Sequence, residues 1–232
     1  MKKFITLITS ILIAFSFTKT VFADGHQVYG PYPITLKGYD GDKTNSVKYT
    51  GQMARHALHD SLKALVKSGD VAKMMAYYNG EDGLAIVAPA SKGDFVIKQT
   101  MVSEIGSGNL SGKMYKGYIP GWGNLTGPEA LEHMITKAGE VEGGFDPNTG
   151  MDYTQLISKF AMGAVFYNQA VNSYLGSKME IGQKPNSEPY KEDAYYTGKE
   201  HSWDEAFGYW GSAAHALTLS AEQNYNVAKK KD

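Results

Sequence analysis

The chain has 232 residues, with 23 Lys and Arg against 24 Asp and Glu, and it contains no cysteine. That composition excludes zinc–cysteine sites, thiol nucleophiles and iron–sulfur clusters. The absence of any basic excess argues against nucleic acid or an anionic membrane surface as a partner.

Residues 1–23 have the three parts of a secretory signal peptide: Lys2 and Lys3, an apolar core from Phe4 to Phe17, and small residues in Val21-Phe22-Ala23 where a signal peptidase reads. The apolar core, about 14 residues, is short of the ~20 needed to span a bilayer, so cleavage is expected rather than a retained membrane anchor. No cysteine follows it to carry a lipid. The chain from Asp24 onward is then periplasmic or secreted, and losing three lysines moves its formal charge from −1 to −4.

Residues 24–50 show no helical period and read as an extended arm with a short strand at Val47–Thr50. From Gly51, the spacing of Met53, Leu58, Leu62, Leu65 and Val66 predicts an amphipathic helix ending at Ser68-Gly69. Asp70 caps a second helix that stops at Asn79-Gly80. Residues 80–125 are Gly-rich and irregular, with short strands at Leu84–Val87 and Phe95–Ile97 or a helix within Ile97–Ile105 as options. Thr126, Pro128 and Glu129 form a capping-box helix start, and a turn-rich loop follows through Gly150.

Asp152, with Gln155 three residues on, opens a long helix through Leu175-Gly176 carrying Leu156, Phe160, Val165, Phe166 and Val171. Its Ala161, Gly163 and Ala164 invite close approach of a neighbour. Residues 182–198 form a polar linker, and helices over 203–216 and 221–230 complete the chain, the second capped by Ser220 with Gln223.

The segment Gly198 to Gly211 concentrates chemistry. With a helix starting near Ser202, His201 lies just ahead of it, and Asp204 and Glu205 occupy its first turn. An imidazole beside two carboxylates suits a metal site or an acid–base pair. Equally, Ser202-x-x-Glu205 is a capping box, with Trp203, Phe207 and Trp210 as core. His56 and His59, beside Asp60, are a weaker metal pair, and His133 and His215 are isolated. Asp40-x-Asp42-x-Thr44 and Asp146-x-Asn148-x-Gly150 lack the closing acid of a calcium loop and read as turns. No established hydrolase, zinc-protease or phosphate-binding signature is present.

His201-x-Trp203-Asp204-Glu205-Ala-Phe207-Gly-Tyr209, together with Tyr49-Thr-Gly51-Gln52-Met-Ala-Arg55 ahead of a helix, resembles the bacterial domain of unknown function 4856, a group similar to the imelysin-like proteins. The imelysin-like signature is Gly-x-His-x-x-Glu; here Gly198 stands one residue too far from His201, and Asp204 and Glu205 share the acidic place. The resemblance implies a helical exported protein linked to iron uptake, and a longer domain of which this chain is a fragment.

Arg55, the sole arginine, is expected to fork onto Asp204 or Glu205 and tie the first helix to the motif; Gln52 and Trp203 are further structural partners of the site. The expected architecture is therefore all-α: an antiparallel helical bundle of imelysin-like type over residues 24–232, interrupted by a long irregular Gly-rich segment. The expected function is a non-enzymatic periplasmic binding or accessory protein, with iron or zinc held by His201, Asp204 and Glu205. A metallopeptidase of imelysin type and a purely structural interaction module are the alternatives. The identity of a protein partner or ligand is left open.

Overall fold

The computed structural model of the chain describes residues 33–87, 99–211 and 219–228. The leader, His215 and the strand candidate Phe95–Ile97 lie outside these residues. Six α-helices are described: α1 (Thr50–Leu65), α2 (Val71–Asn79), α3 (Gly127–Gly139), α4 (Tyr153–Ala161), α5 (Gly198–Trp210) and α6 (Ala221–Ala228). The strands are a two-residue hairpin, β1 (Phe145–Asp146) and β2 (Met151–Asp152).

Helix boundaries follow local chemistry. Asp70 accepts the Lys73 backbone N–H at 2.9 Å and opens α2. Thr126 and Glu129 form the capping box of α3. Asp152 accepts the Gln155 N–H to start α4, and Ser220 exchanges two hydrogen bonds with Gln223 at α6. Each such cap is worth about 1 kcal/mol. At the other ends, Gly69 and Gly80 take left-handed conformations, with φ of 68° and 64°, which only glycine adopts without penalty. Asp146 closes its hairpin by accepting the Asn148 N–H and the Thr149 hydroxyl, which makes it a turn residue.

Helix α1 packs on α2, α4 and α5. Its Ala54, Leu58, Leu62 and Leu65 form the buried stripe, and Leu58 and Leu62, fully buried, contribute about 2 kcal/mol each. The core continues through Met74, Tyr77 and Tyr78 of α2, Leu131, Met134 and Ile135 of α3, and Ile157 of α4.

Three expectations give way. No strand forms at Val47–Thr50: Thr50 already begins α1, and the Lys48 N–H is taken by a side chain of α5. Around Ile97–Ile105, the described part is an isolated bridge between Ala85 and Met101, followed by the 3-10 turn Val102–Glu104. Glu104 folds back to accept the Thr100 and Met101 N–H groups, which caps the start of this short turn. The Gly-rich segment nonetheless serves the core, because it delivers Leu110 and Met114 to fully or almost fully buried positions.

The third difference concerns the long helix. After Ala161 it becomes a π-helix from Met162 to Tyr174. The wider turn sets Ala161, Val165, Ala170 and Tyr174 on the buried side. It also leaves Gly163 facing open space, so no neighbour approaches there.

Gly80 is the position where backbone freedom is needed twice. Besides its positive φ, a Cβ there would overlap the Gly108 carbonyl oxygen. Gly80→Ala should destabilise the chain by more than ~1 kcal/mol, read as a lowered urea midpoint at unchanged slope.

Candidate functional site

Thr197, not Ser202, caps α5. Its hydroxyl accepts the Glu200 N–H at 3.2 Å, and the Glu200 carboxylate accepts the Thr197 N–H at 2.7 Å. The Thr35 hydroxyl donates to Glu200 from the N-terminal arm. Ser202 lies inside the helix and returns its hydroxyl to the Gly198 carbonyl. The early start changes the geometry of the motif, since His201 now lies within the helix. Asp204 and Glu205, three and four residues on, share its face.

His201 Nδ1 is 3.8 Å from Asp204 Oδ2, and Nε2 is 3.6 Å from Glu205 Oε2. Both are ion-pair separations rather than hydrogen bonds. The ring stacks on Tyr196, with centroids 4.8 Å apart, and leans on Tyr190 at 4.9 Å. Asp204 is 1% exposed, and its Oδ2 accepts the Lys48 N–H at 2.7 Å. Burial pushes the Asp204 carboxyl above the usual carboxylate range, against the opposing pull of His201 and the Lys48 N–H. Gln52 donates its side-chain amide to Glu205 Oε1 at 2.8 Å.

The motif thus joins arm, α1 and α5 as a polar clamp. The two carboxylates address opposite nitrogens of one imidazole, so the three groups do not converge on a common point as ligands of a single ion would. Among the described residues, no group of three or more His, Asp and Glu side chains is disposed to hold a metal ion. Two buried atoms of the clamp, His201 Nδ1 and Asp204 Oδ1, have no hydrogen-bond partner.

Of the expected neighbours, only Gln52 arrives. Arg55 forms no ion pair with Asp204 or Glu205: its Nε–H donates to the Asn109 carbonyl at 2.9 Å, and its guanidinium lies over the Tyr209 ring. Trp203 is 49% exposed and Trp210 69% exposed, so neither is core. They sit on the outward side of a helix whose buried positions are Ser202, Asp204, Ala206, Gly208 and Tyr209.

A cleft of about 510 Å³ opens between α1, α4, the π-helix and the end of α5. His56 and His59 stand at its wall. The His56 ring stacks on Phe166 with centroids 4.3 Å apart, and His59 meets the same ring edge-on. His56 Nε2 lies 3.0 Å from the Gly208 carbonyl, and His59 Nε2 3.1 Å from that of Ser158. A carbonyl accepts only, so both Nε2 atoms carry the proton. Burial lowers the His56 pKa, against the opposing pull of the Gly208 carbonyl. Tyr167, Met162 and Trp210 border the opening, with Lys63 and Lys159 as its cations and Asp60 as its acid.

The sequence offered little sign of this cleft. His56 and His59 were visible, but their ring partner Phe166 and the cleft-lining Tyr167 lie on the π-helix. The tyrosine platform under His201 was equally hidden in a segment that read as linker.

Residues 130–229 match the family model described as Domain of unknown function (DUF4856), so this stretch is similar to that family. Helix α1, with Gln52 and Arg55, precedes the matched stretch. No curated protein and no solved structure matches the chain.

The raised Asp204 pKa has a thermodynamic consequence. A carboxyl that binds its proton more tightly when folded favours the fold at low pH, and that contribution is lost as pH rises through the folded pKa. Asp204→Asn, which cannot ionise, should therefore gain on the wild type as pH rises from about 4 towards 7. Urea denaturation of both chains across that range reads the crossing trend.

Proposed function

We propose that this chain is an exported, non-enzymatic binding protein whose ligand enters the cleft beside α1. The observation that carries this reading is the composition of the cleft: an aromatic wall of Phe166, Tyr167 and Trp210, two imidazoles, and two lysines at the margin. A concave, largely apolar site with a few placed polar groups is the usual form of a small-molecule pocket. Its chemistry fits a planar or apolar body bearing an acidic group, the body against the rings and the acid towards Lys63 and Lys159. The floor is part of a 13-residue π-helix, and π-helical turns are frequent at functional sites. Export rests on the leader-like residues 1–23. No helix among the described residues is long and apolar enough to cross a membrane.

Anilinonaphthalene sulfonate, an aromatic sulfonate, is a suitable probe for the chain beginning at Asp24. Saturable binding should weaken by roughly three- to tenfold in Tyr167→Ala and in Lys159→Gln, measured by titration calorimetry. Equal affinity in both variants would remove the cleft from consideration.

A metal-handling role, iron or zinc at the motif, is the second reading. It is favoured by His201 Nδ1 and Asp204 Oδ1, each buried without a hydrogen-bond partner. Elemental analysis separates the two: the cleft reading expects a purified chain without stoichiometric iron or zinc. Stoichiometric metal that disappears in His201→Ala would install the second reading instead.

A further inference from the structure

Arg55 is the only arginine in the chain, and the clamp does not use it. It projects from α1 into a space that glycine leaves open: a Cβ at Gly108 would stand 2.9 Å from its Cζ, and one at Gly51 3.3 Å from its Nη1. Its Nε–H is spent on the Asn109 carbonyl. Its two terminal amino groups meet no acceptor among the described residues, although the forked guanidinium is built to bind oxygen pairs.

Two more cations, on different turns, are within range to feel neighbouring charge: Lys113 that of Arg55 and Lys178 that of Lys113. Lys113 ends the 3-10 turn Ser111–Lys113, whose carbonyl is held by the Gln169 side-chain amide at 2.8 Å. Lys178 lies in the turn Ser177–Met179, with its ammonium 3.3 Å above the centre of the Tyr174 ring. That ring is 5.4 Å from Tyr209, over which Arg55 lies. All three cations are half-buried. Burial lowers the Lys113 pKa, and repulsion from Arg55 lowers it further. Burial also lowers that of Lys178; Glu205 opposes the fall, and Lys113 and Lys184 add to it.

The Glu205 carboxylate acts on both lysines, and its oxygens are already engaged by Gln52 and His201. Three cations against one committed carboxylate leave a positive excess in partly dehydrated surroundings, which is costly unless an anion offsets it. The hydroxyl of Tyr209, buried and without a hydrogen-bond partner, is a further donor in the same cluster.

We infer that Arg55, Lys113 and Lys178 form an oxyanion-binding site, separate from the cleft, that takes the phosphate or carboxylate group of a small ligand beside Tyr174 and Tyr209. The terminal amino groups of Arg55 supply the directional contacts, and the two lysines supply charge. Glu205 limits affinity, because its own negative charge competes with the ligand.

The test is titration calorimetry of the chain from Asp24 with inorganic phosphate, and in a second arm with acetate, in a buffer free of other oxyanions. Saturable binding in either arm is expected, and the stronger arm identifies which oxyanion the site prefers. Lys113→Gln and Lys178→Gln should each weaken it by roughly tenfold. The exposed control Lys73→Gln should leave it unchanged, and Glu205→Gln should tighten it. Because Arg55 is packed against backbone and its loss could unfold the loop it holds, the lysine variants decide the matter. Failure of both anions to saturate, or affinities equal to wild type in both Lys113→Gln and Lys178→Gln, would overturn the inference.

Discussion

The placement of α5 rests on a carboxylate that has left water. Asp204 gives up hydration for one backbone N–H, that of Lys48, and for the field of His201. Ionised, it is poorly compensated, and for this reason its pKa rises rather than falls as in an ordinary surface ion pair. The structural return is specificity: Lys48 comes immediately before Tyr49 and α1, so one bond fixes both the path of the arm and the angle at which α5 meets α1. Gln52 and Glu205 repeat the connection one turn along. Gly208, where a Cβ would press on Tyr49 and Gln52, lets the two helices meet closely enough for both bonds to form.

That constraint explains the two surfaces on either side of α5. Tyr209 faces Phe166 at 6.3 Å and Tyr174 at 5.4 Å, and it is buried between the cleft and the cation cluster. His56 reaches the Gly208 carbonyl from the cleft side, while Arg55, its neighbour in sequence, covers Tyr209 from the other. Consecutive residues of α1 therefore serve different sites, because a helix turns about 100° per residue. Any shift of α5 would move the walls of both sites together.

The elements with strong local signals were legible in the sequence. Asp70, Thr126, Asp152 and Ser220 each put a capping side chain where its helix begins, and Gly69 and Gly80 stop the chain where a positive φ is needed. At α5 two capping boxes competed, Thr197-x-x-Glu200 and Ser202-x-x-Glu205, and choosing the second placed His201 outside the helix. Burial decided between them: Ser202 is 3% exposed and Trp203 is turned outward, a fact about neighbours that a local pattern does not carry. The π-helix had no local sign either. Its apolar residues fit a 3.6-residue period well enough to pass as α.

The candidate sites were legible as residue types and not as pairings. A lone arginine, a histidine beside two acids and a pair of histidines on α1 all stood out, yet the expected Arg55 fork did not form. A guanidinium paired with Glu205 would have satisfied both charges locally and left nothing to recruit. Holding Arg55 instead by a neutral carbonyl and an aromatic face keeps its charge uncompensated at some cost in stability. Local consistency of this kind is given up mainly where a protein binds something else. The positive excess around Arg55, Lys113 and Lys178 is thus better understood as the protein's half of an interaction than as a defect in its core.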